Sequence, residues 1–336
     1  MIAVIEPGLR SALQDAGRFG YRRIGVPASG AADAAALRAA NLLVGNAPGA
    51  ACIETTLRGP TLRFAEDALV ALTGAPLAAR IDSDGPLPHA APFFVRAGAT
   101  LTLGGAARGL RGCVAVAGGF AAPAPLGSRS VYAPAGLGRP LAAGDVLSLG
   151  APSASAQRLL RRLREGAGDA AWAAAGWRAA ADLAGPAGSA AGGAPVRVRV
   201  VPGRELVLFA PASREALFAG AYAVTPQADR MGCRLRGEPL LLAQPLELVS
   251  EAVAPGTVQV PPDGQPIVLL ADCQTTGGYP RIAHVAAVDL PLVAQAPPGS
   301  RLAFEPIGME EADRLHARRE RDFALLAAAL EARMRQ

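Results

Sequence analysis

Apolar positions in this chain alternate or cluster over short stretches for most of its length, and change to a helical period in only a few places. Between residues 52 and 149 the apolar runs 53–57, 61–64, 68–73, 78–81, 92–95, 100–103, 113–117 and 146–149 are separated by Gly, Pro and Asp. Regular short strands broken by turn residues predict an all-β barrel or sandwich rather than a βαβ fold. One more strand is expected at 2–5. Asp33 is placed to cap a helix over 34–44, whose Ala and Leu content favours helix, and Gly45 suits its end.

The pattern changes after residue 150. A basic helical piece at 156–165 gives way to Ala- and Gly-rich sequence ending in Gly185-Pro186-Ala187-Gly188-Ser189-Ala190-Ala191-Gly192-Gly193, which buries little and reads as a linker. Trp172 and Trp177 suit docking of part of it on a neighbouring domain. Strands resume at 196–201 and 221–225, with a short helix at 213–219 between them. The runs 256–260 and 266–271 flank Pro261-Pro262-Asp263-Gly264 and predict a hairpin. A strand at 282–288 and a short helix at 290–293, capped by Asp289, precede an amphipathic helix over 309–335. The fold expected is mainly β: two β-barrel-like domains at 1–150 and 195–306, a linker at 151–194 and a C-terminal helix at 307–336.

Composition adds exclusions. With 336 residues, 51% hydrophobic and 18% charged, the chain is globular and long enough for two cores. All 33 basic residues are arginine, and that excludes mechanisms needing an amine from this chain: a P-loop lysine, a Schiff base, a biotin attachment point. Aromatics are only 4% and the arginines are scattered outside 158–164 and 314–321, so nucleic acid is not an expected partner despite the net charge of +5. Cys52, Cys113, Cys233 and Cys273 have no paired spacing, and His89, His284 and His316 no ligand spacing, so neither a disulfide framework nor a metal site is expected. No apolar run nears membrane-spanning length and the first residues lack a basic flank, which predicts a cytoplasmic chain with no membrane partner.

The chemistry concentrates in two polar loops. Asp272 to Pro280 has no apolar period and sets amide, hydroxyl and phenol groups beside two glycines. Thr275, Thr276 and the amides of Gly277 and Gly278 are neutral donors suited to an oxygen that gathers negative charge, Gln274 is both donor and acceptor, and Tyr279 before Pro280 is stiff enough to stack on a small ring. The competing reading makes the glycines a tight turn and the hydroxyls backbone caps. In the second loop, Asp229 and Arg230 are adjacent, so they bracket a turn or point to two environments. Arg230 and Arg281 flank these loops, and a planar guanidinium holds a carboxylate by two parallel hydrogen bonds. Elsewhere Ser11, Gln14, Asp15, Arg18 and Tyr21 serve either turns or a ligand, Asn41 is a buried hydrogen-bonding residue or a site residue, Arg129 clamps an anion or forms a surface ion pair, and Cys233 suits a small core position.

Several pieces in order resemble one family: Gln14-Asp15 leading to Gly17-Arg18, Gly25-Val26-Pro27, Ser29-Gly30, Ala40-Asn41, Gly45-Asn46, Thr73-Gly74-Ala75, Leu126-Gly127-Ser128-Arg129-Ser130, Thr225 to Gly232, and Ser250 to Arg281. The chain is similar over about residues 4–305 to the carboxyltransferase subdomain family, which includes the second allophanate-hydrolase-type subunit, the KipA proteins and the C subunits of ATP-dependent 5-oxoprolinases. The resemblance implies a cyclophilin-like second barrel. It also implies one of three functions: opening of the 5-oxoproline lactam to glutamate with ATP, as the C component working with a KipI-like B component and a LamB/YcsF-like A component; carboxyl transfer from carboxybiotin to a small amide; or regulatory binding of the KipA kind. The first is favoured, because a chain without lysine cannot carry its own biotin. Under it the expected catalytic residues are Gln274, Thr275 and Asp229, and the expected substrate-binding residues are Arg230, Arg281, Thr276, Gly277, Gly278, Tyr279, Arg18 and Gln227.

Overall fold

A computed structural model describes residues 1–185, 192–246 and 248–335. The chain forms two compact units: Met1–Arg18, Asp33–Ala187 and Arg321–Gln336 make the first, and Phe19–Ala32 with Gly188–Glu320 the second.

The first unit contains β1 (Ile2–Glu6), β2 (Ser11–Gln14), α1 (Ala34–Leu43), β3 (Cys52–Thr56), β4 (Thr61–Phe64), β5 (Ala68–Gly74), β6 (Leu77–Ile81) and β7 (Pro92–Val95). It continues with β8 (Thr100–Ala106), β9 (Arg111–Val116), β10 (Val146–Leu147), α2 (Ala154–Ala167), β11 (Trp172–Ala174) and α3 (Ala181–Ala184). The expected barrel-like domain takes the form of two sheets, ordered β10-β1-β4-β8-β6 and β11-β7-β5-β9-β3-β2. Alternate residues of both, such as Ile2, Leu62 and Leu101 from one and Ile53, Val70 and Val114 from the other, share one core. The predicted cap is present: Asp33 Oδ1 accepts from Ala36 N at 2.9 Å. Thr73 Oγ1 donates to the Ala36 carbonyl at 2.7 Å and ties α1 to the six-stranded sheet.

Three boundaries differ from those expected. The stretch 151–194 is no free linker, since α2 buries Ala156 and Leu159, and β11 pairs with the edge strand β7 with Trp172 opposite Val95. Small side chains bury little, but backbone pairing with an open edge needs none. Residues 186–191 of that stretch lie outside the described residues. Residues 19–32, expected in the first domain, group with the second unit, where Arg22 donates to the Val253 carbonyl. The C-terminal helix groups with the first unit from Arg321 onward, where the Arg38 guanidinium lies 4.0 Å from the centre of the Phe323 ring.

The motif residues of the first unit form a buried knot. Asp15 Oδ1 accepts from the hydroxyls of Ser128 and Ser130, both at 2.6 Å, and from Gly17 N at 2.8 Å, while Oδ2 accepts from Arg129 N at 2.6 Å. Arg18, expected to bind substrate, is 1% exposed and donates to the Ser130 carbonyl, which ties it into the fold. Asn41 is likewise structural, donating to the Ala50 carbonyl and accepting from Asn46. Arg129 turns its Nε to the Ala122 carbonyl, not to an anion. Burial pushes the Asp15 carboxyl up, but the four hydrogen bonds together outweigh it and hold the group below its ordinary 3.8. A depressed folded value stabilises fully above the unfolded pKa and is lost as pH falls through the folded one. Asp15→Asn is therefore expected to cost stability at neutral pH and to flatten the fall in urea midpoint between about pH 4 and pH 2, followed by urea titrations across that range.

The second unit holds β12 (Val196–Pro202), α4 (Pro211–Ala219), β13 (Tyr222–Val224), β14 (Gly232–Arg236), β15 (Glu251–Ala252), β16 (Thr257–Gln259) and β17 (Ile267–Leu269). It is completed by β18 (Thr276–Gly277), β19 (Arg281–Val285), α5 (Leu290–Ala294), β20 (Arg301–Pro306) and the first part of α6 (Met309–Arg335), up to Glu320. Seven strands close a barrel in the order β12-β19-β16-β17-β14-β13-β20, with β20 parallel to β12. The predicted hairpin is β16–β17, with Val258 opposite Val268. Its turn is closed by Gly264 N to the Pro261 carbonyl at 2.9 Å, with Gly264 at φ +73°. Asp289 precedes α5 as expected but makes no cap bond: Arg199 takes both its oxygens, at 2.8 and 2.6 Å. A fixed guanidinium on the neighbouring strand β12 outcompetes the helix amides for the carboxylate.

Candidate functional site

Strand alternation builds the site. On β14, Cys233 and Leu235 enter the barrel core, which sends Gly232, Arg234 and Arg236 to the outer face. On β17 and β16, Val268 and Val258 are core residues, so Ile267, Leu269 and Gln259 share that outer face. Arg234 is opposite Ile267, and Ile267 is opposite Gln259, so the three form one row across β14, β17 and β16. A cavity of about 770 Å³ opens on this row, lined also by Gln227, Asp229, Arg236, Gln274 and Tyr279.

The loop 272–280 is anchored over the face at several points. Asp272 receives Arg230 bidentately, Nε to Oδ2 at 2.8 Å and Nη2 to Oδ1 at 3.1 Å. Cys273, fully buried, packs with Val253 and Leu269 in a small apolar cluster, and that burial pushes its thiol up, away from nucleophilic use. Next, Gln274 Nε2 donates to Gln259 Oε1 at 3.2 Å, and Gln259 Nε2 donates to the Tyr279 carbonyl at 3.3 Å. This amide chain orients Gln274. β18 pairs with β15, Thr276 opposite Ala252, and a Cβ at Gly277 would lie 2.7 Å from Gln259 Nε2. A side chain at 277 would therefore push the Gln259 amide aside.

The residues singled out from sequence divide accordingly. Gln274, Tyr279, Asp229 and Gln227 line the cavity. Asp229 Oδ1 also accepts from Met231 N at 2.8 Å and Gly232 N at 3.0 Å, so it shapes the turn into β14. Thr275, Thr276 and Gly277 do not line it: the Thr275 carbonyl accepts from Val253 N at 3.1 Å, and the other two are ladder residues. Gly278 lines a neighbouring apolar cavity of about 540 Å³ that shares Tyr279. Both flanking arginines are engaged in ion pairs within the fold. Arg230, 7% exposed, is held by Asp272 and donates to the Gly30 carbonyl at 2.6 Å. Arg281 is held by Glu205 and, at 2.6 Å, by Glu251, which raises its pKa. Each guanidinium finds its carboxylate across the fold.

Arg281 lies instead in a second cavity of about 460 Å³ with Arg22, Arg204, Glu205 and His284. Burial pushes the Glu205 carboxyl up, but bonds from the Arg281 side chain and backbone outweigh it and leave it below the ordinary range. Burial, then the Arg281 charge, push the His284 imidazole down, against the opposing Glu205 carboxylate.

The profile described as carboxyltransferase domain, subdomain A and B, matches residues 24–306. The chain belongs to the carboxyltransferase domain family. It is 37% identical over 328 residues to the C subunit of the 5-oxoprolinase of Haemophilus influenzae, covering 95% of this chain and 96% of that protein. To the C subunit of the Escherichia coli 5-oxoprolinase it is 37% identical over 331 residues, 97% of this chain and 98% of that protein. The crystal structure of the K. lactis urea amidolyase superposes with a TM-score of 0.84 at 28% identity, over 97% of this chain and 20% of that one. The carboxyltransferase-family chain thus spans about a fifth of that enzyme.

The cavity over β14, β17 and β16 offers a definite set of groups. Gln274 uses one N–H on Gln259 and keeps Oε1 and a second N–H, a pairing complementary to a planar amide. Asp229 adds a carboxylate at the rim, and Arg234 and Arg236 add positive charge. Arg234, Arg236 and Gln259 were missed from sequence, although the alternation Cys233-Arg234-Leu235-Arg236 already puts both arginines on one face. Among the described residues no group of three or more His, Cys, Asp or Glu is arranged to hold a metal ion, and no helix is long and apolar enough to cross a membrane.

Proposed function

We propose that this chain is the C component of an ATP-dependent 5-oxoprolinase, and that the cavity over β14, β17 and β16 holds the lactam while its ring C–N bond is opened to give glutamate. The observation that carries this is co-extension: the identity to 5-oxoprolinase C subunits runs over 95–97% of this chain and 96–98% of theirs. The site chemistry agrees. A lactam carbonyl gathers negative charge when water adds to its carbon, before the ring C–N bond breaks and the nitrogen takes up the proton, and a neutral amide already oriented at that oxygen stabilises the charge without reorganising. Gln274, fixed through Gln259, is such a donor, and Asp229 is a proton acceptor at the rim. ATP would supply the driving force for ring opening, and no residue of this chain is assigned to it. The proposal includes a cytoplasmic complex with a KipI-like B component and a LamB/YcsF-like A component. Purified alone, the chain is expected to release no glutamate from 5-oxoproline; purified with both partners, it is expected to do so in proportion to ATP consumed. Turnover by the isolated chain removes the partner requirement, and a complete complex without turnover removes the reading.

The TM-score of 0.84 against urea amidolyase favours a second reading, a carboxyltransferase component that takes biotin from elsewhere. Carboxylation of a small amide from carboxybiotin, without 5-oxoproline turnover, would select it. A stable complex inert in both assays would point to regulatory binding of the KipA kind.

A further inference from the structure

We propose that Arg234, supported by Arg236, is the carboxylate subsite of the cavity, holding the ligand's carboxylate while Gln274 meets its amide. The inference rests on the reading of the chain as a 5-oxoprolinase component. It starts from an elimination: Arg230 and Arg281, the arginines flanking the polar loops, are held by Asp272 and by Glu205 with Glu251. Arg234 and Arg236 line the cavity and, among the described residues, pair with no carboxylate.

Register supplies the geometry. Arg234, Ile267 and Gln259 lie in one row over three adjacent strands. Adjacent strands are about 4.8 Å apart, so Arg234 and Gln259 start about 10 Å apart on the same face with Ile267 as an apolar floor between them. A small ring with a carboxylate on one side and an amide on the other fits across that row: guanidinium to carboxylate by two parallel hydrogen bonds, Gln274 to amide. Arg236 follows one pleat further along β14, about 6.7 Å on, close enough to strengthen the local field.

Charge selects between two sources of anion. Asp229 and Asp263 also line the cavity, so its two arginines face two carboxylates. A polyphosphate spread through it would meet both acids. A ligand with one negative charge at the arginine end and neutral groups elsewhere does not.

The test uses the assembled complex and the full chain alone. Arg234 is exposed, so Arg234→Gln is expected to fold normally. It should raise KM for 5-oxoproline about 10- to 100-fold, the loss for one charge-assisted pair, and leave KM for ATP unchanged. Arg234→Lys should fall between, and Arg236→Gln should have the smaller effect. In parallel, calorimetric titration of the chain alone with 5-oxoproline and with its carboxamide should show tighter binding of the acid, a preference lost in Arg234→Gln. If the wild-type complex turns over and the variant's KM for 5-oxoproline is unchanged, or its KM for ATP rises instead, the subsite assignment is overturned. If the wild-type complex is inactive, the functional reading fails on its own. The titration then judges the subsite: equal binding of acid and carboxamide, or of wild type and variant, overturns it.

Discussion

Replacing Gln274 by alanine is expected to slow the assembled complex about a hundredfold or more while its melting temperature stays near that of the wild type. Gln274 is the last amide of a chain anchored at the Tyr279 carbonyl through Gln259, which is 1% exposed. Under the proposed function, that anchoring would remove the cost of orienting a donor as charge develops on the lactam oxygen. Loss of one preorganised donor costs about 2.7–4 kcal/mol in the barrier, roughly a hundredfold to a thousandfold in rate. The fold loses little, since cavity water can take the freed bond of Gln259 Oε1. Thr275→Val provides the contrast: the structural contact of Thr275 is its backbone carbonyl, and the residue does not line the cavity, so turnover should remain close to wild type. Gly277→Ala should resemble Gln274→Ala, because its Cβ would stand 2.7 Å from Gln259 Nε2 and displace the chain. Single-turnover rates and melting curves decide the matter. Near-normal turnover with a lowered melting temperature in Gln274→Ala would make the amide chain a scaffold only.

Arg230→Ala is expected to destabilise the protein by about 3–5 kcal/mol, the usual cost of leaving one partner of a buried ion pair alone. The side chains of Arg230 and Asp272 are 7% and 9% exposed, and the pair fastens the start of the polar loop to the turn before β14. Without the guanidinium the Asp272 carboxylate is buried uncompensated and the Gly30 carbonyl loses a donor at 2.6 Å. Urea unfolding measures the loss. Arg230→Met combined with Asp272→Asn should recover much of it, since removing both charges removes the desolvation penalty of each. A substrate-clamp role predicts the reverse, a raised KM with an unchanged urea midpoint.

Features legible in the bare chain are local or cumulative. Helix α6, the cap at Asp33 and the β16–β17 hairpin follow from periods and turn residues within a few positions of each other, and each is found as predicted. Family membership was legible because many weak motifs occur in one order along the chain. The inner and outer faces of β14 were legible too, from period-two alternation at Cys233-Arg234-Leu235-Arg236.

Which face borders a cavity, and which charges are already paired, came from long-range contacts. Arg230 meets Asp272 42 residues away and Arg281 meets Glu205 76 residues away, and no local signal distinguishes a guanidinium with such a partner from one without. The same holds for residues 19–32, which join the second unit through contacts with residues about 200 positions on, and for β11, whose Ala-rich sequence becomes strand by pairing with an edge. Local periodicity reports what a residue's neighbours allow. Ion pairing, sheet order and burial depend on segments that meet only when the chain closes, and a charged side chain has the same identity in sequence whether it holds the fold or awaits a ligand.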